Sequence, residues 1–216
     1  MSSIVKVISE HRIAYLTGLL VTVKLCGIAW VGGLACGGVL ALASEWWPRL
    51  IGWPVALLSR MTEAIPIMVL LFWLHYPAQS ILNVSIDPFY TTAGLLTTLN
   101  MLAVFGILHR AILTVPSEYI EVARVCGVGR SRTFWRIKFP LALRSAIGSL
   151  ASSQVNILQL SIFGSLIAVE ELFRISQRIN AQIYQPVQVY TGLALFFLAV
   201  CLPLNLLARY LESRLR

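Results

Sequence analysis

The chain alternates between long uncharged stretches and short polar segments. Four stretches are long enough to cross a bilayer, which takes roughly 20 apolar residues: Ile13–Ala43, Thr91–Leu108, Ser145–Val169 and Val187–Ala208. The first contains one charge, Lys24, and the other three contain none. A fifth, less apolar stretch covers Pro54–Tyr76. The pattern predicts an all-α integral membrane protein with about five transmembrane helices.

Composition leaves little room for anything besides these spans. Of the 216 residues, 58% are hydrophobic and 12% are charged, whereas a soluble domain carries about 25% charged residues. We therefore expect a single transmembrane domain over residues 1–216. The first apolar run is longer than the core of a signal peptide, so we expect it to be a retained helix.

Basic residues collect on one side of the predicted membrane. The segment 109–144 contains Arg110, Arg124, Arg130, Arg132, Arg136, Lys138 and Arg144, and the C-terminal tail adds three arginines. The segment 77–90 has Asp87 and no basic residue. Because basic loops stay in the cytoplasm, we expect a cytoplasmic C-terminus and an outside N-terminus. The net charge of +8 then faces anionic lipid, and nucleic-acid binding is not indicated.

The basic segment contains a predicted loop over 116–140. Pro116 and Ser117 are typical of a helix start, and Gly127 of a helix end. Ile120, Ala123 and Gly127 share one face of this helix at positions i, i+3 and i+7. Since two of the three are very small, we expect another protein to approach this face closely.

A second short helix is predicted from the residues "RTFWRIKF" at 132–139, ending at Pro140. Phe134 would face the bilayer, while Arg136 and Lys138 would face water, as in an interfacial helix. The segment 116–140 then lies on the membrane surface and presents its first helix to the cytosol. The alternative is an ordinary positively charged loop that only sets topology.

The spacing in this loop resembles the cytoplasmic signature of bacterial ABC importer permeases. That signature reads Glu-Ala-Ala, three residues, Gly, nine residues, Ile-x-Leu-Pro. Here the matching positions are Glu121, Ala123, Gly127, Ile137 and Pro140. Val122 replaces the middle Ala, and Phe139 replaces the Leu.

The rest of the chain resembles the five-helix permeases of the polar amino acid uptake group, the histidine, glutamine and arginine type. The similar stretches are "GLLVTVKLCGI", "IPIMVLLFWLHY", "VNIL" at 155–158 and the last helix at 186–215. The resemblance covers nearly the whole chain. It implies a permease that moves a small polar solute, an amino acid or a derivative, inward across the bacterial cytoplasmic membrane.

The resemblance also implies partners. In this family the short cytoplasmic helix docks on a separate ATPase dimer, and the residues carried over to that contact are Glu121, Ala123, Arg124, Gly127 and Arg132. The chain has no Gly-x4-Gly-Lys-Ser/Thr phosphate loop, so we expect no enzyme activity, with ATP and Mg²⁺ bound by the ATPase. A second permease copy, identical or related, and an extracytoplasmic solute-binding protein complete the expected system.

The second span departs from the family pattern where the transport path is expected. Glu63, Ala64, Ile65 and Pro66 replace Arg-Gly-Thr-Pro, and Arg60 stands where an acid is common. Glu63 and Arg60 are three residues apart, so a pair within the helix or between subunits is one interpretation. Contact with the ligand is the other. Pro66 is expected to kink the helix.

The fourth span has lost a charge pair. Gln159 and Leu160 replace the family's Lys-Asp, which leaves Asn156, Gln159 and Ser161 as polar candidates for the path. Their alternative is hydrogen bonding between helices. The missing charges also keep two alternatives open: a non-amino-acid solute, or a partner permease in a heterodimer that does not contact the ligand.

Other classes of membrane protein fit less well. An intramembrane enzyme would need a nucleophile with its base or a metal cluster, and the sequence contains no His-Glu-x-x-His motif and no metal-spaced cysteines. We therefore expect no catalytic or metal site. A secondary transporter is expected to be larger, with an inverted repeat. A purely structural subunit remains an alternative. Gly33 and Gly37, spaced as small-xxx-small, predict close helix packing.

Overall fold

The computed structural model describes residues 7–215, and these residues form helices without a strand. The α-helices are α1 (Arg12–Trp46), α2 (Trp53–Ala64), α3 (Ile67–His75), α4 (Pro77–Leu82), α5 (Pro88–Leu113), α6 (Ser117–Val125), α7 (Arg130–Thr133), α8 (Phe139–Leu160), α9 (Leu172–Ile183) and α10 (Pro186–Leu215). Two π-helical turns cover Pro48–Gly52 and Phe134–Lys138, and a 3₁₀ segment covers Ser161–Ile167.

Within residues 7–215, four continuous helical segments are long and apolar enough to cross a membrane. They are Arg12–Trp46, Pro88–Leu113, Arg130–Ile167 and Pro186–Arg214. A fifth crossing requires the helical pair Pro48–Ala64 and Ile67–Leu82, which bends by 100°. The predicted all-α membrane fold with about five spans is confirmed.

The second predicted span is broken rather than continuous. Helix α2 ends at Ala64, Ile65 is extended at φ −101° and ψ 126°, and α3 begins after Pro66. Proline lacks an N–H donor and pushes the residue before it out of the helical region. The expected kink at Pro66 is therefore a full break.

Helix α1 lies closely along α5, as the two glycines predicted. A Cβ atom on Gly33 would lie 2.5 Å from the Cβ atom of Asn100, and one on Gly37 would lie 2.4 Å from the carbonyl oxygen of Met101. Side chains at these positions would push the helices apart. The predicted packing role of the two glycines is confirmed.

A buried polar cluster joins α1, α5 and α8. The amide nitrogen of Asn100 donates to the carbonyl oxygen of Ala29 and to Oε1 of Gln154, each at 2.9 Å. Trp30 Nε1 donates to the Gln154 carbonyl oxygen at 3.0 Å. Asn100 is completely buried. Because the bilayer offers no water to these groups, the three helices satisfy one another's polar atoms.

Helix α9 packs against α1 at the end far from the basic loop. The backbone N–H of Leu172 donates to Thr22 Oγ1 at 3.2 Å. Glu171, fully buried, caps α9 by accepting from the backbone N–H groups of Phe173 and Arg174, both at 2.8 Å. Burial raises the pKa of this carboxyl from 4.5 to about 7, although the two backbone donors lower it in part.

Candidate functional site

Helix α6 is the exposed short helix of the basic loop. It begins at Ser117, directly after Pro116, and ends at Val125. Gly127 has a φ of 73°, and its N–H donates to the Arg124 carbonyl oxygen at 3.0 Å. The Val128 N–H donates to the Ala123 carbonyl oxygen at 2.9 Å. These two bonds and the left-handed glycine form a Schellman motif, which ends a helix. The predicted start is confirmed, and the predicted end is correct to within two residues.

The surface that α6 presents to the outside differs from the predicted one. Ala123 is only 4% exposed and faces the rest of the chain, whereas Val122 and Val125 are 64% and 88% exposed. We call Glu118, Glu121, Val122 and Val125 the outer face of α6, because they follow the i, i+3, i+4, i+7 spacing of one helix face. The prediction that Ala123 itself meets a partner closely is wrong, since its small side chain is used for packing within the chain.

The second helix of the loop does not end at Pro140. Helix α7 and the π-turn Phe134–Lys138 run directly into α8, where Pro140 is the second residue. In the π-turn just before it, the Phe139 N–H donates to the Phe134 carbonyl oxygen, five residues back. The missing N–H of Pro140 therefore falls where the regular helical bonding is already interrupted. The predicted stop is therefore wrong, and Pro140 lies in the first turn of α8.

Side chains of this second segment also point differently from the prediction. Phe134 is 3% exposed and packs with Ile112 and Ala142 rather than facing the bilayer. Arg132 and Arg136 are exposed, as predicted. Lys138 does not face water, because it pairs with Glu45 at the end of α1.

A cavity of about 320 Å³ separates α6 from the end of α1. Glu45 and Trp46 contribute from α1, and Arg124 contributes from α6. Arg130 and Lys138 bring positive charge to the same cavity. Since Lys138 pairs with Glu45 beside this cavity, the loop is held to the end of the first transmembrane helix.

The break between α2 and α3 exposes both path candidates of the second span. Glu63 and Pro66 are exposed. Glu63 accepts a hydrogen bond from Ser59 Oγ at 3.1 Å, and no ion pair joins it to Arg60 among the described residues. The pair predicted within the helix is therefore not formed in this structure, while a pair between subunits stays a prediction.

The three polar candidates of the fourth span do not lie together. Asn156 and Gln159 are exposed on α8, while Ser161 is completely buried and donates to the Leu158 carbonyl oxygen at 2.8 Å. Ser161 thus lies in the core rather than on an exposed surface of the path. Its bond to Leu158 stays within one helical segment, so it is not the bond between helices that the alternative predicted. Gln159 lies in a groove with Asn205 of α10, a residue that sequence reasoning missed. We call Asn156, Gln159 and Asn205 the polar face of α8 and α10.

Comparison with known proteins places this geometry in a family. Residues 33–216 match the family described as binding-protein-dependent transport system inner membrane component. The chain belongs to this family. It is a membrane-embedded permease subunit of a transport system, and the predicted family is confirmed.

Curated relatives of this transport family cover most of the chain. The L-cystine transport system permease of Bacillus subtilis is 29% identical over 200 residues, which cover 92% of this chain and 85% of that protein. The glutamine transport system permease of Escherichia coli is 29% identical over 191 residues, covering 85% and 86%. The octopine transport system permease of Rhizobium meliloti is 26% identical over 206 residues, covering 88% and 81%.

Solved structures share the fold of this permease. The crystal structure of an amino acid ABC transporter with histidines superposes with a TM-score of 0.84 at 21% identity, covering 96% of both chains. An inward-facing structure of the methionine transporter MetNI superposes with a TM-score of 0.72 at 17% identity, covering 96% and 98%.

Proposed function

We propose that this permease carries an amino acid or an amino-acid derivative inward across the cytoplasmic membrane of a bacterium, driven by separate ATPase subunits. The observation that carries the proposal is the outer face of α6, a short helix that ends in a Schellman motif and exposes two valines. The relatives named for cystine, glutamine and octopine transport support the class of solute.

The outer face of α6 is the proposed docking surface for an ATPase dimer. Val122 and Val125 are exposed on the same helix face as Glu118 and Glu121, and exposed apolar clusters mark protein contacts. Glu121 supplies charge beside them, while Arg124 and Arg132 extend the surface into the basic part of the loop. ATP and Mg²⁺ are bound and used by the ATPase. Gly127 contributes by ending the helix rather than by touching the partner.

A second permease copy, identical or related, is the proposed cover for the polar face of α8 and α10. Uncovered amides such as Asn156 and Gln159 would lie against hydrocarbon, where unsatisfied polar groups are costly. The broken backbone between Glu63 and Pro66 needs cover for the same reason, because irregular backbone at membrane depth is tolerated only inside protein or beside a watery cavity. We place the transport path between two such surfaces.

The proposed orientation follows the basic residues. The loop 116–140 and the C-terminus lie in the cytoplasm, and the N-terminus lies outside, where an extracytoplasmic solute-binding protein delivers the solute. Single cysteines at Asp87 and Arg132, in a chain without native cysteines, should react with impermeant reagents from opposite sides. Labelling of both from outside intact cells contradicts this orientation.

One observation favours a second candidate function. Gln159 and Leu160 carry no charge, and the whole stretch Ser145–Val169 is uncharged, so this part of the subunit offers the solute no ionic contact. It would then be the partner permease of a heterodimer that leaves ligand contact to the other subunit, or a permease for a non-amino-acid solute.

Uptake into vesicles tests the proposal. The chain, co-purified with its ATPase and combined with its binding protein, should accumulate L-cystine or L-glutamine only with MgATP inside the vesicles. Uptake without ATP contradicts the proposed mechanism. ATP-driven uptake of a different solute, with no amino acid competing, contradicts the amino-acid class and supports the alternative.

A further inference from the structure

The loop that carries α6 is fastened to the end of α1 by charged and aromatic side chains. Lys138 Nζ lies 2.8 Å from each carboxylate oxygen of Glu45. Arg130 Nη2 donates to the Glu45 carbonyl oxygen at 3.3 Å, and its guanidinium lies 5.5 Å from the ring centre of Trp46. Trp46 also meets Phe134 edge-to-face, with ring centres 5.9 Å apart. We call these five residues the α1 clamp.

The α1 clamp brings two positive side chains to the C-terminal end of α1. The last carbonyl groups of a helix lack partners within it and carry partial negative charge. Helix α1 has no basic residue in its own last turn, so Arg130 and Lys138 supply the cations. The side chains of Lys138 and Glu45 are only 14% and 17% exposed. Their attraction is therefore screened less than that of a pair on the surface.

Helix α1 connects the clamp to the opposite side of the molecule. Its 35 residues span about 52 Å at 1.5 Å per residue. In the N-terminal half of the helix, the backbone N–H of Leu172 donates to Thr22 Oγ1, and a Cβ atom on Gly18 would lie 2.8 Å from Ile175 Cγ1. The helix that the clamp holds is therefore in direct contact with α9.

We propose that Glu45, Arg130 and Lys138 are positioning residues that make α1 move with α6. The inference rests on the proposed function, since it assumes that an ATPase displaces α6. Displacing the loop then shifts the cytoplasmic end of α1, and α1 carries α9 with it. When the clamp is broken, the ATPase still binds α6 and hydrolyses ATP, but less of that movement reaches the transmembrane helices.

A charge-exchange experiment separates this coupling from simple stability. Vesicles contain the complete complex, and the readout is solute moved per ATP hydrolysed, with L-cystine or L-glutamine as the solute. Glu45→Gln and Lys138→Met should each lower this ratio at least tenfold while ATPase binding persists. The exchanged variant Glu45→Lys with Lys138→Glu restores opposite charges at the same sites, so its ratio should return to within about threefold of wild type.

The matched control is a second ion pair, formed away from the basic loop. Arg178 and Glu170 pair at the surface, with side chains 55% and 44% exposed, and exposed pairs contribute little. Arg178→Met should change the ratio less than twofold. Wild-type ratios in both single clamp variants, or an exchanged variant no better than the poorer single variant, would overturn the inference.

A milder variant keeps the test decisive if the single charge changes prevent insertion. Arg130→Gln leaves the Lys138–Glu45 pair in place and removes only the contacts to Trp46 and to the Glu45 carbonyl oxygen. It should lower the ratio at least threefold, and an unchanged ratio in this variant also counts against the clamp. If wild type itself shows no solute-stimulated hydrolysis, the proposed function fails rather than this inference.

Discussion

Val128 donates its backbone N–H to the carbonyl oxygen of Ala123 across 2.9 Å. This bond runs from the second residue after the cap to the last turn of α6, and it closes the Schellman motif in which Gly127 takes the left-handed conformation. It turns the chain sharply back toward α7. Beside this turn, Ala123 is buried and Val125 lies at the surface.

Gly127→Ala tests whether this turn needs glycine. A Cβ atom at Gly127 would meet nothing within 4 Å, so the cost comes only from its φ of 73°. We expect the local stability of α6 to fall by about 1 kcal/mol, which corresponds to roughly fivefold faster amide exchange over 117–128. Gly129→Ala is the control, because Gly129 has equal open space at a φ of −64°. Equal exchange in both variants would refute the account of the turn.

The polar cluster between α5 and α8 gives a stability prediction. Replacing Asn100 by Leu leaves Oε1 of Gln154 without its donor inside the membrane. The expected cost is roughly 1–3 kcal/mol for a buried polar group left unsatisfied. The double variant with Gln154→Leu should lose less than the two single losses together, because no partner is left unpaired. Thermal unfolding in detergent measures this, with Thr98→Val as a control, since Thr98 is exposed and bonds only to its own helix. Strictly additive losses would contradict the assigned contact.

Much of the fold follows from local patterns. Uncharged length predicts the spans, Pro116 with Gly127 predicts α6, and Gly33 with Gly37 predicts the close helix pair. Each of these signals depends on residues near one another in the chain. The break at Pro66 was only partly predictable, because proline disrupts a helix but does not determine whether it kinks or breaks it.

What the sequence did not predict depends on contacts between distant residues. Helical spacing groups Ile120 and Ala123 on one face of α6, but it does not show whether that face points inward. The exposure of Val122 and Val125 runs against the usual burial of apolar side chains. Lys138 and Glu45 are 93 residues apart, and Asn100 and Gln154 are 54 apart. No local pattern indicates which lysine or amide meets which partner.

Glu171 predicts a dependence of stability on pH. Its pKa is about 7 when folded against 4.5 when solvated, so the folded protein binds more protons between these values. The stability it contributes is complete below about pH 4.5 and is lost as the pH rises through 7. The melting temperature should therefore fall between pH 5 and 8 more steeply in wild type than in Glu171→Gln. Glu118→Gln, at an exposed position of α6, should keep the wild-type slope. Identical slopes in wild type and Glu171→Gln would contradict the assignment.

Gln159 tests how much this subunit contributes to ligand affinity. A hydrogen bond between polar side chains in a membrane averages about 0.6 kcal/mol, which is roughly threefold in affinity. Gln159→Ala should thus leave the apparent transport affinity within about threefold of wild type. A hundredfold loss, with folding and ATPase coupling intact, would show that Gln159 contacts the ligand directly.

The outer face of α6 provides the most direct measurement. In the double variant Val122→Arg with Val125→Arg, two exposed apolar side chains of the docking surface become charged while the buried Ala123 is unchanged. Val84→Arg is the control, since Val84 is an exposed valine in the loop between α4 and α5. The double variant should insert normally but lose ATPase co-purification and stimulated ATP hydrolysis, while the control keeps both. Wild-type co-purification and stimulated hydrolysis in the double variant would contradict α6 as the coupling element.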